Sequence, residues 1–356
     1  MCAKMGKIAI NGRFVVRRFG GQERYSYQVI QGLDELAKPG EFELIVPAYA
    51  LDEKIPAYKN IEVKKIGTVK GHFWEQIDYF FYLKKSNKIG FNPCITCPIL
   101  KPDITTLHDI GQLINAQSYK NIYGKLSRQW HKWMFYSAAK HSKLIFTVSE
   151  FSKKEIEKYL HVDSNRIVVT GNGWQHFEAI SDDLTFFERH QELKPGEYFL
   201  SASSLTPQKN FKWVKKAATN NKNEVFAIAG EKVNLTQDDG EKDPDNLHYL
   251  GFVTDGEMKT LMRNCKAFIH PAKYEGFGIT PMEAMSVGAP IILSNATCLP
   301  EVYGDTVHYI DPDNADVDLE ALLKEPVADS SKVLEKYSWS NMSKIVYKAI
   351  KEKYNM

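Results

Sequence analysis

Two carboxylates, Glu275 and Glu283, stand with seven residues between them, around the run Gly276, Phe277, Gly278, Ile279, Thr280. Glycine lets a backbone approach a ligand closely, and Glu275 to Gly278 is too rich in it for regular structure. Thr280, Pro281 and Glu283 read as a helix opening, with threonine at the N-cap, proline next and glutamate at the third helical position. Phe268 to His270 ends an apolar run before the loop, Gly288 stops the helix, and Ala289 to Leu293 is a buried strand. A loop that leaves a strand and feeds a helix N-terminus presents free N–H groups and a positive dipole end, a place for a phosphate. Glu283 could instead close a capping box worth about 1 kcal/mol. Its backbone place and its carboxylate are different resources, so both roles are compatible.

The elements that must position these groups alternate along the 356 residues, a length that suits two domains. Strands are expected at 7–10, 43–46, 61–66, 104–107, 144–148 and 166–170, with helices near 22–36, 74–85 and 123–139. Another helix is expected from Ser149, with Ser152 and Glu155 forming a capping box slightly inside it. Between Gly171 and Pro195 periodicity fades, and a boundary is expected there. Alternation resumes with strands at 198–202, 225–229 and 267–270 and helices near 211–218, 257–263 and 341–353. Apolar strands alternating with helices indicate doubly wound parallel sheets. The expected domains are residues 1–178 and 179–340.

Composition excludes several classes. A formal net charge of +2 argues for no nucleic acid partner, and no apolar run approaches the length needed to span a bilayer. The opening MCAKMGKIAI moves directly into a strand without a signal peptide, so a cytoplasmic protein is expected. Five scattered cysteines suit a reducing compartment. Cys94 and Cys97 form one C-x-x-C, but no second pair exists for zinc, so buried thiols are expected. The helix near 123–139 carries Lys125, Arg128 and Lys132 on one side and Leu126, Trp130 and Trp133 on another. Helical spacing assigns the apolar stripe to the core. The basic side, continued by Lys140 and Lys143, reads as a solvated face or a peripheral contact with an anionic membrane.

The stretch EGFGITPMEAMSVGAPII, followed by LPEV, resembles the E-x7-E region of retaining glycosyltransferases with the GT-B fold, especially glycosyltransferase family 4, over about thirty residues. The resemblance implies an α/β GT-B fold: two Rossmann-like domains facing across a cleft, with the closing helix, residues 341–356, crossing back onto the first. It places Glu275 by the donor sugar and Glu283 on the nucleotide ribose, with Gly276, Phe277, Gly278, Ile279 and Thr280 around the donor. His108, in TTLHDIG, resembles the family histidine that reaches donor sugar hydroxyls. Lys209, in SLTPQKN, matches the lysine that neutralises the departing diphosphate, which is electrostatic stabilisation of developing charge. Ser204 stands where the family usually has an arginine. Gly20 and Gly21 resemble a glycine pair near the diphosphate or acceptor. Gly251, Phe252 and Val253 resemble the segment whose backbone reads the base. VSEFSKKEI also resembles the family, with Ser149 facing the cleft.

The implied function is retaining transfer of a hexose or deoxyhexose from a nucleotide sugar to a glycan or lipid-linked saccharide, in cell-surface polysaccharide biosynthesis. The nucleotide sugar is a co-substrate, and no cofactor or metal is expected: Asp243 with Asp245, and Asp311 with Asp313, flank prolines and read as turns. The G-x-G-x-x-G of a nicotinamide enzyme is missing. The alternatives are a non-catalytic sugar-nucleotide binder, favoured only by Ser204, and a GT-B nucleotide-sugar epimerase.

Overall fold

A computed structural model of the chain describes residues 8–115, 122–203, 206–230 and 242–356. These divide into two units. One holds 8–115, 122–172 and Trp339–Met356, and the other lies within Gly173–Ser338.

The first unit is a parallel sheet of β1 (Ile8–Asn11), β2 (Phe42–Pro47), β3 (Glu62–Ile66), β4 (Ile89–Asn92), β5 (Ile104–Thr106), β6 (Leu144–Thr147) and β7 (Ile167–Val169). Its order is β3-β2-β1-β4-β5-β6-β7. β1, β2 and β6 are buried at every position, as strands covered by helices on both faces must be. β4 was not expected, because Ile-Gly-Phe-Asn is short and interrupted by glycine, yet it lies between β1 and β5. Gly90 fits because a Cβ there would come 2.8 Å from Leu83 Cδ1.

The helix Trp339–Tyr354 belongs to this unit and packs on the helix Gly21–Leu36. Gly32 permits the approach: a Cβ there would fall 2.1 Å from Ser343 Oγ. Lys351 Nζ, 2.6 Å from Glu41 Oε1, fastens the far end.

Two local expectations change. Ser149 is itself the N-cap of Glu150–Leu160, its Oγ accepting from Ser152 N–H at 3.1 Å, so no box forms at Ser152. Ser149 is buried and its oxygen is committed to that cap. The long helix Ile122–His141 buries Met134, Phe135, Ala138 and Ala139 instead of Leu126 and Trp133, which are exposed. Arg128 is not part of a solvated basic face either. Its Nε and Nη2 donate to the carbonyls of Gln112 and Leu113 at 3.1 and 3.0 Å, closing the short helix Gly111–Ile114.

The second unit has β8 (Tyr198–Ala202), β9 (Val225–Ala229), β10 (Leu247–Gly251), β11 (Ala267–His270), β12 (Ile291–Ser294) and β13 (His308–Ile310), in the order β10-β9-β8-β11-β12-β13, all parallel. β12 starts at Ile291, two residues late. Ala289 N–H closes the preceding helix onto Ala284 at 3.2 Å, and Pro290 has no N–H to give. The unit begins at Gly173, ahead of the expected 179. Lys259 explains why: its buried ammonium donates to the carbonyls of Phe177, Glu178 and Ile180 at 2.9, 3.0 and 2.6 Å. A buried cation satisfied by three carbonyls ties that segment to the helix Asp255–Arg263.

Candidate functional site

In the second unit β8 and β11 are neighbours, but the chain leaves β8 toward β9 and leaves β11 toward β12. Loops that part in opposite directions beyond the carboxyl ends of two parallel strands leave a crevice. Here two contacts stitch those loops together. Asn210, left-handed at φ +59°, donates from Nδ2 to the carbonyls of Pro271 and Pro312 at 3.0 and 2.8 Å, and Lys273 N–H donates to Gln208 O at 2.8 Å. The stitching brings Lys209, from the β8 side, onto Glu275, from the β11 side.

Lys209 Nζ pairs with Glu275 Oε2, and His270 Nε2 donates to the same oxygen at 3.2 Å. Burial alone would push the Glu275 carboxyl up. The Lys209 ammonium and the His270 N–H outweigh it and hold the group well below the usual carboxylate range. Burial first, and then the Lys209 charge, push His270 down against the pull of Glu275, so its imidazole is neutral at pH 7. The site therefore holds a cation and an ionised carboxylate, at 22% and 15% side-chain exposure, with a neutral donor beneath.

Gly276, Phe277 and Gly278 are buried, and Phe277 meets Tyr337 edge-on at 5.1 Å. Gly278 has φ +89°, and Tyr303 Oη donates to its carbonyl at 2.5 Å. That left-handed glycine is the N-cap of the helix Ile279–Ser286, so Thr280 is not the cap and no capping box forms with Glu283. Ile279 and Thr280 are half-buried residues of its first turn, whose N–H groups have no intrahelical acceptor. Glu283, freed from the cap, turns its buried carboxylate to His176, whose Nε2 donates to Oε1 at 2.9 Å.

At the other side of β8, Gly230 N–H donates to Gly251 O at 2.7 Å, and Gly251 has φ +66° with open space where a Cβ would stand. Phe252 is exposed and Val253 half-buried beside it. Ser204 lies outside the described residues.

In the first unit, His108 follows β5 and is buried, edge-on to Tyr25 at 4.7 Å. Its Nε2 donates to Pro93 O at 3.0 Å, and burial above all pushes its pKa down to about 4. The ring is neutral and its remaining polar atom, Nδ1, can only accept a hydrogen bond. Gly20, in extended backbone, is the N-cap of Gly21–Leu36, and both glycines are exposed. Cys94 and Cys97 are buried free thiols, and burial pushes Cys94 up to about 11. Among the described residues no group of three or more His, Cys, Asp or Glu could hold a metal ion. Asp311 accepts from Asp313 N–H at 2.8 Å, and Asp243 pairs with Lys215 at 3.0 Å.

The structure thus joins Lys209 to Glu275 and adds His270 and His176, which sequence reasoning missed. His270 had one signal, a polar residue closing the apolar run of β11. His176 had none, being in the segment without periodicity.

Comparison with known proteins places the chain among glycosyltransferase sequences. A family model described as Glycosyl transferases group 1 matches residues 182–338, and one described as Glycosyltransferase Family 4 matches residues 97–175. The O-antigen chain mannosyltransferase B of Escherichia coli is 27% identical over 265 residues, 68% of each chain. The O-antigen chain mannosyltransferase RfbU of Salmonella typhimurium is 25% identical over 289 residues, 77% of each. HepE of Anabaena, solved in complex with UDP-glucose, matches with a TM-score of 0.70 over 97% of this chain and 99% of its own, at 13% identity. The last likeness is one of fold.

Proposed function

We propose, for a chain that belongs to the GT-B glycosyltransferases of the family 4 type, a retaining transfer of a hexose from a nucleotide-sugar donor to a glycan or lipid-linked saccharide of the cell surface. The pairing of Lys209 with an ionised, partly accessible Glu275 at the switch point of the second sheet carries the reading. An arriving diphosphate takes the Lys209 ammonium from Glu275, so the leaving group meets a fixed cation. The bond from the anomeric carbon to the diphosphate oxygen breaks as the acceptor oxygen bonds to the same face. The acceptor proton passes to the departing diphosphate. While the bond to the diphosphate breaks, positive charge builds on the sugar beside Glu275, which His270 keeps oriented.

Glu283, held by His176, takes the ribose hydroxyls, and the first-turn N–H groups of Ile279–Ser286 face the phosphates. Gly251 to Val253 receive the base, and Gly20 and Gly21 border the acceptor side. His108 accepts from a sugar hydroxyl at Nδ1. Because two relatives are named as mannosyltransferases of O-antigen chains, mannose is the favoured sugar, and a place of work at the inner face of the membrane belongs to the same proposal. No metal or cofactor enters the proposed step.

The test is transfer from GDP-mannose and UDP-glucose to a lipid-linked oligosaccharide, with and without EDTA, and the product anomer assigned by NMR. Retention of the donor configuration and turnover unchanged by EDTA are expected. An inverted anomer overturns the retaining reading, and loss of turnover restored by manganese overturns the metal-free one.

A further inference from the structure

The second unit carries a cavity that the donor chemistry does not use. It encloses about 510 Å³ and is lined from two stretches, residues 220–224 and 316–324. Asn220 ends the helix Phe211–Asn220 and Glu224 stands immediately before β9, so the cavity lies at the amino end of the second sheet. Lys209 and Glu275 follow β8 and β11 at the carboxyl end. The two ends are separated by the length of a five-residue strand, about 16 Å.

The walls are fixed. Asn246 Nδ2 lies 3.0, 3.1 and 2.7 Å from the carbonyls of Ala218, Asn221 and Glu224 and braces the turn between helix and strand. Lys266 ties the two lining stretches together, donating to Glu224 at 2.9 and 2.8 Å and to Glu320 at 2.6 Å. Asn220 Nδ2 donates to Ala315 O at 3.2 Å, and Asn221 Nδ2 to Ala217 O at 2.8 Å. With their amide N–H groups held on the backbone, both asparagines leave their carbonyl oxygens to the cavity they line. Asp318 spends Oδ1 on the N–H of Ala321 at 2.9 Å and keeps Oδ2.

Chemistry selects the ligand. Four carboxylates, Glu224, Asp316, Asp318 and Glu320, stand with three ammoniums, Lys222, Lys266 and Lys324. Charges so nearly balanced attract neither a nucleotide nor a polyamine. Val317 and Ala321 are the apolar residues of the lining, too little surface for a lipid chain. Carbonyl and carboxylate acceptors rimmed by lysine donors suit a neutral ligand rich in hydroxyls, each of which both donates and accepts. The volume falls within the range of ligand pockets, about 300–1,000 Å³.

We infer that this cavity binds a neutral oligosaccharide, apart from the donor and at the opposite end of the unit. The inference rests on the proposed function at one point, that the chain handles glycans, and its test needs no turnover.

The experiment titrates the full chain with mannotriose, spermidine or inorganic phosphate and follows the NMR signals of the Val317 and Ala321 methyls and the Asn220 and Asn221 amides. Saturable shifts with mannotriose alone are expected. Ala321→Trp fills the cavity from an exposed helical position, and Asn223→Ala with Asp316→Ala strips two exposed side chains from its rim. Each should bind mannotriose about tenfold more weakly at an unchanged melting temperature. Both should bind GDP-mannose and UDP-glucose as wild type does. The rim double adds no bulk, so it decides the matter should the tryptophan variant misfold. Absent shifts with mannotriose, wild-type affinity in the rim double, or shifts with spermidine or phosphate in its place overturn the inference. A chain that transfers sugar but ignores mannotriose sinks this inference and leaves the proposed function standing. A chain that binds mannotriose in the cavity without transferring sugar does the reverse.

Discussion

Both sheets reverse strand order beside their first strand, and each puts an acid–base pair at that point, but the pairs are built for different ends. In the first unit, Glu75 faces Arg13 Nε at 3.1 Å and accepts from Asn11 at 2.9 Å and Thr96 at 2.8 Å. Arg13 donates in turn to Thr96 at 2.9 Å, and Asn11 to Asn92 at 3.1 Å. The side chains of the pair are 7% and 1% exposed, against 22% and 15% for Lys209 and Glu275. The first pair sits in its own buried network, in which Arg13 Nε and Glu75 Oε2 meet as an ion pair without a hydrogen bond of full geometry. The second has a flexible ammonium that water reaches, so a ligand can replace one partner. Equivalent topology does not make equivalent sites; accessibility and the number of internal partners separate them.

The largest effects should test that separation directly. Glu75→Leu leaves Arg13 charged, buried and unpaired, which costs about 3–5 kcal/mol and lowers the melting temperature of the first unit by roughly 10 °C. Glu275→Gln leaves Lys209, at 22% exposure, able to turn to water, and should cost less stability than Glu75→Leu. It should instead lower kcat by about a hundredfold or more, since its carboxylate faces charge that develops only in the transition state. Calorimetry and initial rates on both variants decide the matter. Equal loss of stability with kcat intact in Glu275→Gln would mean that both pairs are structural.

Acid sharpens the comparison by a somewhat smaller effect. Burial pushes the Glu75 carboxyl up, but Arg13 above all, then His72 and the Asn11 and Thr96 donors, bring it down to about 2, against an ordinary 4.5. A depressed carboxyl contributes stability that is fully present above the unfolded value and is lost as pH falls through the folded one. Between about pH 4.5 and 2 the first unit should therefore lose about 3 kcal/mol through this group. Glu75→Gln should flatten the dependence of stability on pH across that window. An unaltered acid limb would show that Glu75 does not hold its charge there.

How much of this was legible follows from where each signal resides. β8, β9 and β11 are apolar runs, and their residues alone declare them. β4, β10 and β13 carry glycine, histidine or tyrosine in three to five residues and are fixed by pairing with distant strands. The start of Ile279–Ser286 was misread because Thr280 and Glu283 spell a capping box at the right spacing. Tyr303 holds Gly278 left-handed and starts the helix earlier, and nothing local reports that contact. Lys209 and Glu275 could be named from the sequence through resemblance, but their meeting depends on Asn210 and Lys273 joining two loops.

The smallest effect concerns the second carboxylate, which is held by a histidine where the buried network of the first unit uses an arginine. His176 comes from the segment entering the second unit and donates to Glu283 Oε1, so it orients the oxygen pair without touching the reacting carbon. If that pair binds ribose hydroxyls, the interaction exists in ground and transition states alike, and its loss raises KM with kcat nearly unchanged. His176→Leu should raise donor KM about tenfold, the worth of one hydrogen bond to a charged group. His176→Gln, whose amide N–H can reach the same oxygen, should recover most of that loss, and Glu283→Gln should match His176→Leu. A merely structural His176 predicts something else: both of its substitutions lower the melting temperature, and neither moves KM once the folded fraction is counted. A fall in kcat at constant KM would instead move Glu283 from the ribose to the reacting sugar.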